Sequence, residues 1–553
     1  MFTYLTAHTP LEGVDHAMSE ECRDWLRNSN TEKLVIFAPD GRDYSQFFEE
    51  TKRCVGTTCQ VTTVMLKPLG SDFESPNEIQ ALAWDNLNTI TSQMDAKAPK
   101  TMFFGRGPAL HDHLMWLAAK CRDGVKTIHF DDVNVTETEA IPPSIDENKK
   151  GFTTMAGLLE NHVEDIVKQR AENVGWSHAH RLAGRPGGAL ESGIRKALTP
   201  SINADMVELL EVDGGKTVSY KIAPKGIETA ILAYSKAREL SEEPQREVLI
   251  SFARLPRIQR QNEEEQIMPF SFFSMIAPLQ PVDGLICVLQ HHEDSIDGTH
   301  IMTLNQACER FEDSLIIGNL RHVRQSLEHR CVEDSILFSN HVVIINPKPN
   351  TTTSLDFTTQ LLAALNEFER MHGVHRLRID MTGPLAQIRS SASMLGLNMH
   401  ARMTYTIKPD SKHSKKHHSI NLPGMEAYEA FQQVSMVNKN NQYDVKMLKV
   451  LLAYEHQTIQ SKPDEFDFFE DVAQEQEPPT LPELLKFANE NTPDGTERIP
   501  KEQGNRVIKR LRMRGLVAVT VLRDKAKTRY ELTDIGHFVA SQLAHQEEGA
   551  ENV

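Results

Sequence analysis

Few residues in this chain point to cross-linking, metal binding or membrane insertion. Only seven of its 553 residues are cysteines, and none forms a Cys-x-x-Cys pair, since the nearest two are Cys54 and Cys59. This pattern argues against a zinc ribbon and a disulfide scaffold and favours a reducing cytoplasm. No run of 18 apolar residues occurs, which argues against a membrane-spanning helix. The N-terminal residues lack a basic segment and a long apolar segment, so we expect no secretory signal peptide.

Enzyme signatures are also missing. The sequence contains no Gly-x-Ser-x-Gly, His-Glu-x-x-His or Cys–His constellation. Residues 214–217 read GGKT, but Leu210 stands where a phosphate-binding loop needs a glycine, so we interpret them as a turn. The histidine pairs have no matching cysteines or carboxylates at zinc-site spacing. We therefore predict no catalytic residue, no metal site and no cofactor.

The distribution of charge is more informative than its sum. The net charge is −17, which argues against a protein coated with basic surface for nucleic acid. Residues 464–477 carry seven acids and no Lys or Arg, whereas residues 501–529 carry ten Lys or Arg against two acids. An acidic chain with one concentrated basic segment favours a nucleic-acid contact at that segment.

Periodicity predicts two α/β domains. Residues 1–135 and residues 246–410 each alternate β-rich apolar runs with amphipathic helices. Strands that alternate with helices over short connections indicate βαβ units and a parallel sheet covered on both faces. We therefore predict an α/β fold class with two Rossmann-like, doubly wound domains.

A different pattern follows each α/β domain. Residues 151–240 and residues 440–545 read as helices, a β-hairpin and a final helix, which is the element order of a winged helix-turn-helix. Polar segments that contain proline or histidine, 136–150 and 408–420, separate the regions and read as linkers.

Short anchors align the two halves as copies of one unit. Gly107-Pro108 and Gly383-Pro384 each precede a helix at an offset of 276 residues, and SYKIAPKG ending at Gly226 matches RYELTDIG ending at Gly536 at an offset of 310. The sequence therefore predicts a tandem duplication.

Residues 100–130 and 375–407 each read strand, glycine turn, helix, strand. This arrangement resembles CARF domains, the CRISPR-associated Rossmann-like fold, in which a Thr-Gly-Gly-type turn contacts a cyclic oligoadenylate. Pro384 stands where the family often has a second glycine, so one backbone N–H donor is absent. Glycine turns at strand carboxyl ends also suit anions on physical grounds, because the helix N-terminus follows them. The predicted ligand-binding residues are His8, Thr9, Gly105, Arg106, Gly107, Ala253, Arg254, Thr382 and Gly383.

Residues 505–536 resemble the winged helices of MarR- and ArsR-like regulators. A basic helix is followed by Gly515, a β-run, a charged wing tip and a second β-run. Such a helix enters a groove of duplex DNA and the wing reaches the next groove. The predicted DNA-binding residues are Arg506, Lys509, Arg510, Arg512 and Arg514 on the helix, Lys525, Lys527 and Arg529 on the wing, and Arg195 and Lys196 in the first copy.

These features together predict a cytoplasmic, ligand-responsive DNA-binding regulator of CRISPR or antiviral defence. Its expected partners are double-stranded DNA and a cyclic oligonucleotide, with no membrane, and its two α/β domains would pair as an intramolecular pseudo-dimer. Two alternatives stay open: a CARF-like ring nuclease that cuts its own cyclic oligoadenylate, and a scaffold whose winged helices bind protein. Further homodimerisation, the operator and the direction of regulation also stay open.

Overall fold

The computed structural model of this chain is mixed α/β. The structure describes residues 1–7, 18, 20–39, 43–67, 76–94, 100–104, 109–121, 125–130, 135–139, 150–168, 176–178, 181–182, 188–212, 217–238, 246–254, 258–261, 264–267, 282–290, 299–314, 317–318, 320–321, 324–325, 328, 341–346, 354–382, 386–407, 418–435, 442–460, 478–490, 498–521 and 528–551. The chain divides into two compact units. The first comprises Met1–Ala83 with Met94–Gly424, and the second comprises Trp84–Gln93 with Met425–Val553.

The first unit opens with a six-stranded sheet in the order β3-β2-β1-β4-β5-β6. The strands are β1 (Phe2–Thr6), β2 (Lys33–Pro39), β3 (Gln60–Leu66), β4 (Lys100–Phe104), β5 (Val125–Phe130) and β6 (Val135–Glu139). All neighbours pair in parallel except β5 and β6. The β2 sequence KLVIFAP is buried from its second residue onward, as expected for a strand covered on both faces. The helices between these strands are α1 (Glu20–Asn28), α2 (Ser45–Cys54), α3 (Pro76–Gln93) and α4 (Ala109–Lys120).

A helix-and-hairpin segment follows in the same unit. Its helices are α5 (Lys150–Val167), α6 (Gly188–Asn203) and α7 (Ile227–Arg238). Its strands β7 (Ser177–His178), β8 (Val207–Val212) and β9 (Thr217–Ile222) form an antiparallel sheet in the order β7-β9-β8. Helix α5 packs against both α6 and α7, so the apolar faces of the three helices share one small core.

A second, seven-stranded sheet completes the first unit. Its strands are β10 (Glu247–Arg254), β13 (Gly284–Gln290), β14 (His300–Met302), β15 (His341–Asn346), β16 (Arg376–Asp380), β17 (Arg402–Ile407) and β18 (His418–Asn421). The order is β14-β15-β13-β10-β16-β17-β18, and only the two edge strands β14 and β18 pair antiparallel. A separate hairpin joins β11 (Ile258–Gln261) and β12 (Glu264–Ile267). The helices are α8 (Leu304–Arg310), α9 (Ser354–His372) and α10 (Ala386–Asn398).

The two large sheets share one topology. Apart from the extra edge strand β14, each runs third, second, first, fourth, fifth, sixth strand, and the sixth is antiparallel. Phe2 lies opposite Lys100 in the first sheet, and Glu247 lies opposite Arg376 in the second. Lys100 and Arg376 are 276 residues apart, the offset that also relates the glycine turns. In both sheets the fourth strand therefore pairs with the first strand in the same register.

The second unit repeats the helix-and-hairpin arrangement. Its helices are α11 (Met425–Ser435), α12 (Gln442–Gln460), α13 (Leu481–Glu490), α14 (Lys501–Met513) and α15 (Asp534–Glu551), and its strands are β19 (Val517–Val521) and β20 (Thr528–Leu532). The segment Trp84–Gln93, the second half of α3, belongs to this unit. The Trp84 and Phe431 rings lie 6.1 and 6.4 Å from the buried Phe538 ring, so an aromatic cluster forms part of its core.

The hairpins of the two units match residue by residue. Val207 pairs with Ile222 in the first, and Val517 pairs with Leu532 in the second. Both residues of the second pair lie 310 positions after their counterparts. The strand β7 also has a counterpart, since Thr480 forms an isolated antiparallel bridge with Arg529.

A glycine follows each hairpin at a close approach of two backbones. A Cβ added to Gly226 would lie 2.1 Å from the Met206 carbonyl oxygen, and one added to Gly536 would lie 2.0 Å from the Leu516 carbonyl oxygen. These contacts are again 310 residues apart. Only glycine fits at either position, which is why both anchors of the sequence alignment end in this residue.

The structure departs from the sequence expectations at two predicted domain boundaries. Strand β6 continues to Glu139, past the predicted boundary at 135, and β18 lies past the predicted boundary at 410. Each is a polar antiparallel edge strand, so it lacks the continuous apolar run on which the prediction depended. The acidic segment 464–477 lies outside the described residues.

Candidate functional site

A buried carboxyl group lies at the carboxyl end of β16. Asp380 is the last residue of this strand and is fully buried. Its Oδ1 accepts hydrogen bonds from the Thr382 backbone N (3.1 Å) and the Thr382 hydroxyl (2.5 Å). The Thr382 hydroxyl oxygen in turn accepts from the Thr406 backbone N at 2.7 Å. The predicted ligand-binding residue Thr382 is therefore held in place from two strands.

The other oxygen of Asp380 makes no such contact. Among the described residues Oδ2 has no hydrogen-bond partner, and neither does the hydroxyl of Ser251, which is also fully buried. The β10–β16 register pairs Ile250 with Ile379, so Ser251 and Asp380 come next on the two strands and lie on the same face. Buried polar atoms without partners are uncommon and need a physical reason, so these two atoms mark a candidate polar site.

Burial also changes the protonation of this site. It raises the pKa of Asp380 from 3.8 to about 6, against the opposing effect of the Thr382 hydrogen bonds. A carboxyl group with this pKa changes charge near neutral pH, so the site can both accept and donate a hydrogen bond.

Asp380 lies at the point where the strand order of the sheet changes direction. Strands β10 and β16 are the first and fourth of their domain and lie side by side, and the chain proceeds from them in opposite directions across the sheet. In open parallel sheets, ligands bind outside the carboxyl ends of the strands at such a switch point. Ala253 and Arg254 end β10 at this edge.

His8, Thr9, Gly105, Arg106, Gly107 and Gly383 lie outside the described residues. At an offset of 276, the first sheet has Phe104 where the second has Asp380. A carboxyl group at this position is therefore particular to the second sheet.

The helices that follow the two predicted glycine turns contact each other. Helices α4 and α10 pack together, and the imidazole of His113 lies in that contact. Its Nε2 is 2.8 Å from the Pro423 carbonyl oxygen and its Nδ1 is 3.3 Å from the Ser393 hydroxyl. The carbonyl oxygen only accepts, so Nε2 carries the proton and Nδ1 accepts from Ser393. Burial lowers the pKa of His113 to about 4, so the ring is neutral at pH 7.

The basic helix α14 exposes one face and buries the other. Gly504, Val507, Ile508 and Leu511 are buried. The exposed positions that carry positive charge are Lys501, Arg506, Lys509 and Arg512. The last three are spaced three residues apart and are therefore neighbours on the helix surface. Contact of this exposed cationic face with DNA phosphates stays a prediction.

Two other predicted DNA-binding residues have partners inside the fold. Asp444, on α12, is fully buried and accepts hydrogen bonds from Arg510 at 2.5 and 3.3 Å and from Arg514 at 3.2 Å. The adjacent carboxylate raises the pKa of Arg510. These two guanidinium groups hold α14 against α12, and the sequence pattern alone did not reveal this role.

The predicted wing of the second unit is only partly described. Arg529 donates to the Pro478 carbonyl oxygen at 2.6 Å, so it ties β20 to the segment before α13. Lys525 and Lys527 lie outside the described residues. The contribution of the wing to DNA binding stays a prediction.

The first copy has a smaller cationic face. Arg195 and Lys196 are exposed on α6, and Lys196 occupies the position equivalent to Arg506 at the offset of 310. Thr199 stands where the second copy has Lys509. Another cation of this copy, Arg181, forms a two-pronged ion pair with the buried Asp165 at 2.7 and 2.8 Å.

Sequence reasoning missed Asp380, Ser251 and Asp444. A signal existed for Asp380, since an acid that ends an apolar strand directly before a Thr-Gly turn is unusual in a buried position. Ser251 and Asp444 had no comparable signal, because their importance depends on contacts far along the sequence.

Three further observations bear on function. Within the described part of the chain, every helix is too short or too polar to span a bilayer. The same residues contain no group of three or more His, Cys, Asp or Glu side chains placed to hold a metal ion. No family model matches the chain, and comparison with curated proteins also finds no match.

Proposed function

We propose that this protein is a nucleotide-responsive, DNA-binding regulator built from two CARF-like Rossmann domains, each followed by a winged helix. The proposal rests on one observation: two features occur together in this chain. Each large sheet has its first and fourth strands as neighbours, and a separate helix–hairpin segment exposes three cations along one helix face. The first feature suits an anionic ligand and the second suits a duplex.

The ligand half of the proposal depends on Asp380 and its neighbours. An unpartnered carboxyl oxygen and an unpartnered hydroxyl at the strand edge suit a ligand that offers both donors and acceptors, as ribose hydroxyls and adenine amines do. A cyclic oligoadenylate combines these groups with phosphates, which the turn and the helix N-terminus favour. The pairing of α4 with α10 supports a shared site in an intramolecular pseudo-dimer.

The ligand half is tested by thermal shift with cyclic di-, tri-, tetra- and hexa-adenylate. A specific ligand at a hundred times its Kd stabilises the protein by about 2.7 kcal/mol. The Asp380→Asn variant keeps the Oδ1 contacts and loses the titratable oxygen, so we expect weaker binding. Thr91→Val removes a buried hydroxyl that donates to the Leu87 carbonyl oxygen within α3 and serves as the control. Equal shifts in wild type and Asp380→Asn would contradict the assignment of the site.

Chromatography of the recovered ligand separates a sensor from a ring nuclease. If the protein only binds, the cyclic form survives incubation. Linear products would favour the enzymatic alternative instead.

The DNA half is tested by electrophoretic shifts over a range of salt concentrations. Each phosphate contact contributes about 0.9 to the slope of log affinity against log salt concentration. The double variant Arg506→Ala, Lys509→Ala should flatten this slope by nearly two and weaken binding to every sequence. Lys486→Ala removes an exposed cation of α13 and should leave the slope unchanged. Salt-insensitive, equal binding by all three proteins would favour the protein-scaffold alternative.

A further inference from the structure

Two helices lead from the glycine turns to a common buried cluster. Helix α4 begins directly after residues 105–108 and ends at Lys120. Helix α10 begins directly after residues 383–385 and ends at Asn398. A rise of 1.5 Å per residue places each final residue about 18 Å from the turn at the start of its helix. Each helix therefore connects a proposed ligand turn with a distant point inside the first unit.

Lys120, Glu228 and Asn398 meet at that point and are called the junction cluster here. Lys120 Nζ donates to Glu228 Oε2 at 2.5 Å and to Asn398 Oδ1 at 3.2 Å. Asn398 Nδ2 donates to the same Glu228 oxygen at 3.2 Å. The Lys120 and Glu228 side chains are 4% and 1% exposed. Helices α4, α10 and α7 thus each contribute one member of the cluster.

The cluster tolerates little displacement of the helices. Charges removed from water are stabilised only when their partners keep good geometry, and a hydrogen bond weakens within a few tenths of an ångström. Glu228 has no alternative partner for its second oxygen, which is buried and unpaired among the described residues. If α4 and α10 shift along or around each other, Glu228 must follow or lose its partners.

The far end of α7 has a second ionic anchor. Arg238, its last residue, pairs with Glu369 on α9, and the Nε–Oε2 distance is 3.0 Å. Both ends of α7 are therefore tied to the second α/β domain, and its start is tied to α4 as well. The position of α7 therefore depends on the positions of α4, α9 and α10.

We propose that the junction cluster couples ligand occupancy at the two glycine turns to the position of α7, and so to the first winged helix. This proposal rests on the proposed function and deepens it, because it names the route by which a ligand between the α/β domains changes the first DNA-binding segment. Coupling of this kind requires that the ligand favours one arrangement of α4 and α10 over another.

The experiment is hydrogen–deuterium exchange of residues 207–238 with and without cyclic tetra-adenylate. Wild type should show a ligand-dependent change in this segment. The triple variant Lys120→Met, Glu228→Leu, Asn398→Leu replaces the cluster with apolar side chains, a change that folds often tolerate. It should bind the probe within about threefold of wild type, a factor well below typical allosteric couplings, but lose the change at 207–238. A triple variant that keeps the change would overturn the proposal.

Two controls separate coupling from instability. Lys225→Met breaks an exposed ion pair with Asp205 in the same segment and should leave the ligand-dependent change intact. If the triple variant does not fold, Glu228→Gln keeps the side-chain volume, removes the charge and gives the same readout.

A ligand-free arm keeps the coupling testable if the probe does not bind. Failure of wild type to bind any of the four cyclic oligoadenylates would refute the ligand half of the proposed function. The single variant Asn398→Leu should still raise exchange at the last turn of α4 and the first turn of α7, although it alters only α10. Exchange that rises in α10 alone would show that the cluster does not couple the three helices.

Discussion

The replacement of Gly536 by alanine tests the close backbone approach at the start of α15. A Cβ at this position would lie 2.0 Å from the Leu516 carbonyl oxygen. A relaxed carbon–oxygen contact needs about 3.2 Å, so one of the two backbones must move by roughly 1.2 Å. That carbonyl accepts a hydrogen bond from the Thr533 backbone N at 3.2 Å, and the movement would weaken it.

The expected loss of stability is about 3 kcal/mol. Overpacking of this severity costs about 3 kcal/mol, and the weakened hydrogen bond adds about 1 kcal/mol. The higher helix propensity of alanine returns about 1 kcal/mol. Urea unfolding followed by circular dichroism measures the difference. For a unit of this size, the melting temperature should fall by roughly 10 °C.

Matched substitutions decide whether the steric argument is correct. Gly226→Ala should cost a similar amount, because its Cβ meets the Met206 carbonyl oxygen at 2.1 Å. Gly157→Ala, in the middle of α5 with no atom within 4 Å of the new Cβ, should be neutral or stabilising. If Gly536→Ala unfolds at the wild-type urea concentration, the close approach and the equivalence of the two hairpins both fail.

Three further predictions follow from buried charges. Asp444→Asn leaves two half-exposed guanidinium groups without their carboxylate and should lower the free energy of unfolding by about 2–3 kcal/mol, measured in urea against the exposed control Glu502→Gln. Burial alone lowers the pKa of His537, but Glu455, Asp534 and Asp85 together raise it above 6.5. The protonated ring therefore stabilises the fold below pH 6.5, and this contribution disappears as the pH rises through the raised pKa. His537→Gln should flatten that part of the stability–pH profile, and an unchanged profile would contradict the pairing. Because the folded pKa of Asp380 is raised from 3.8 to about 6, stability falls as the pH rises between these two values, and the full loss is present above pH 6. Asp380→Asn should therefore stabilise the protein at pH 7.5 by about 2 kcal/mol, and a loss of stability would contradict this.

Local patterns predicted much of the secondary structure. The apolar runs of the first 135 residues correspond to β1 to β5, and the basic helix predicted at 505–514 is found at Lys501–Met513. These elements carry their signal within a window of about 10–18 residues, as continuous burial or one apolar helix face. The sequence also indicated the glycine that follows each hairpin, because the two aligned segments both end in this residue.

Contacts between residues that are distant in sequence could not be predicted in the same way. Asp444 and Arg510 are 66 positions apart, and nothing in either segment indicates that they meet. The second half of α3 belongs to the second unit, but an amphipathic pattern does not say which core the apolar face covers. The same limit applies to Asp380 and Ser251, whose pairing depends on strand order rather than on sequence spacing.

A chain that repeats one arrangement of elements can misfold by docking one segment in the place of the other, and one pair of equivalent residues disfavours this error. Glu228 and Phe538 are 310 positions apart and occupy the same place in the repeated unit. Glu228 completes an ionic cluster, whereas Phe538 packs beside two aromatic rings. If the two segments exchanged places, the Glu228 carboxylate would be buried among aromatic rings. The Lys120 ammonium would also lose its carboxylate partner, and each of these changes costs free energy. The two repeated segments therefore have incompatible surroundings at this position, which disfavours the exchange of one for the other during folding.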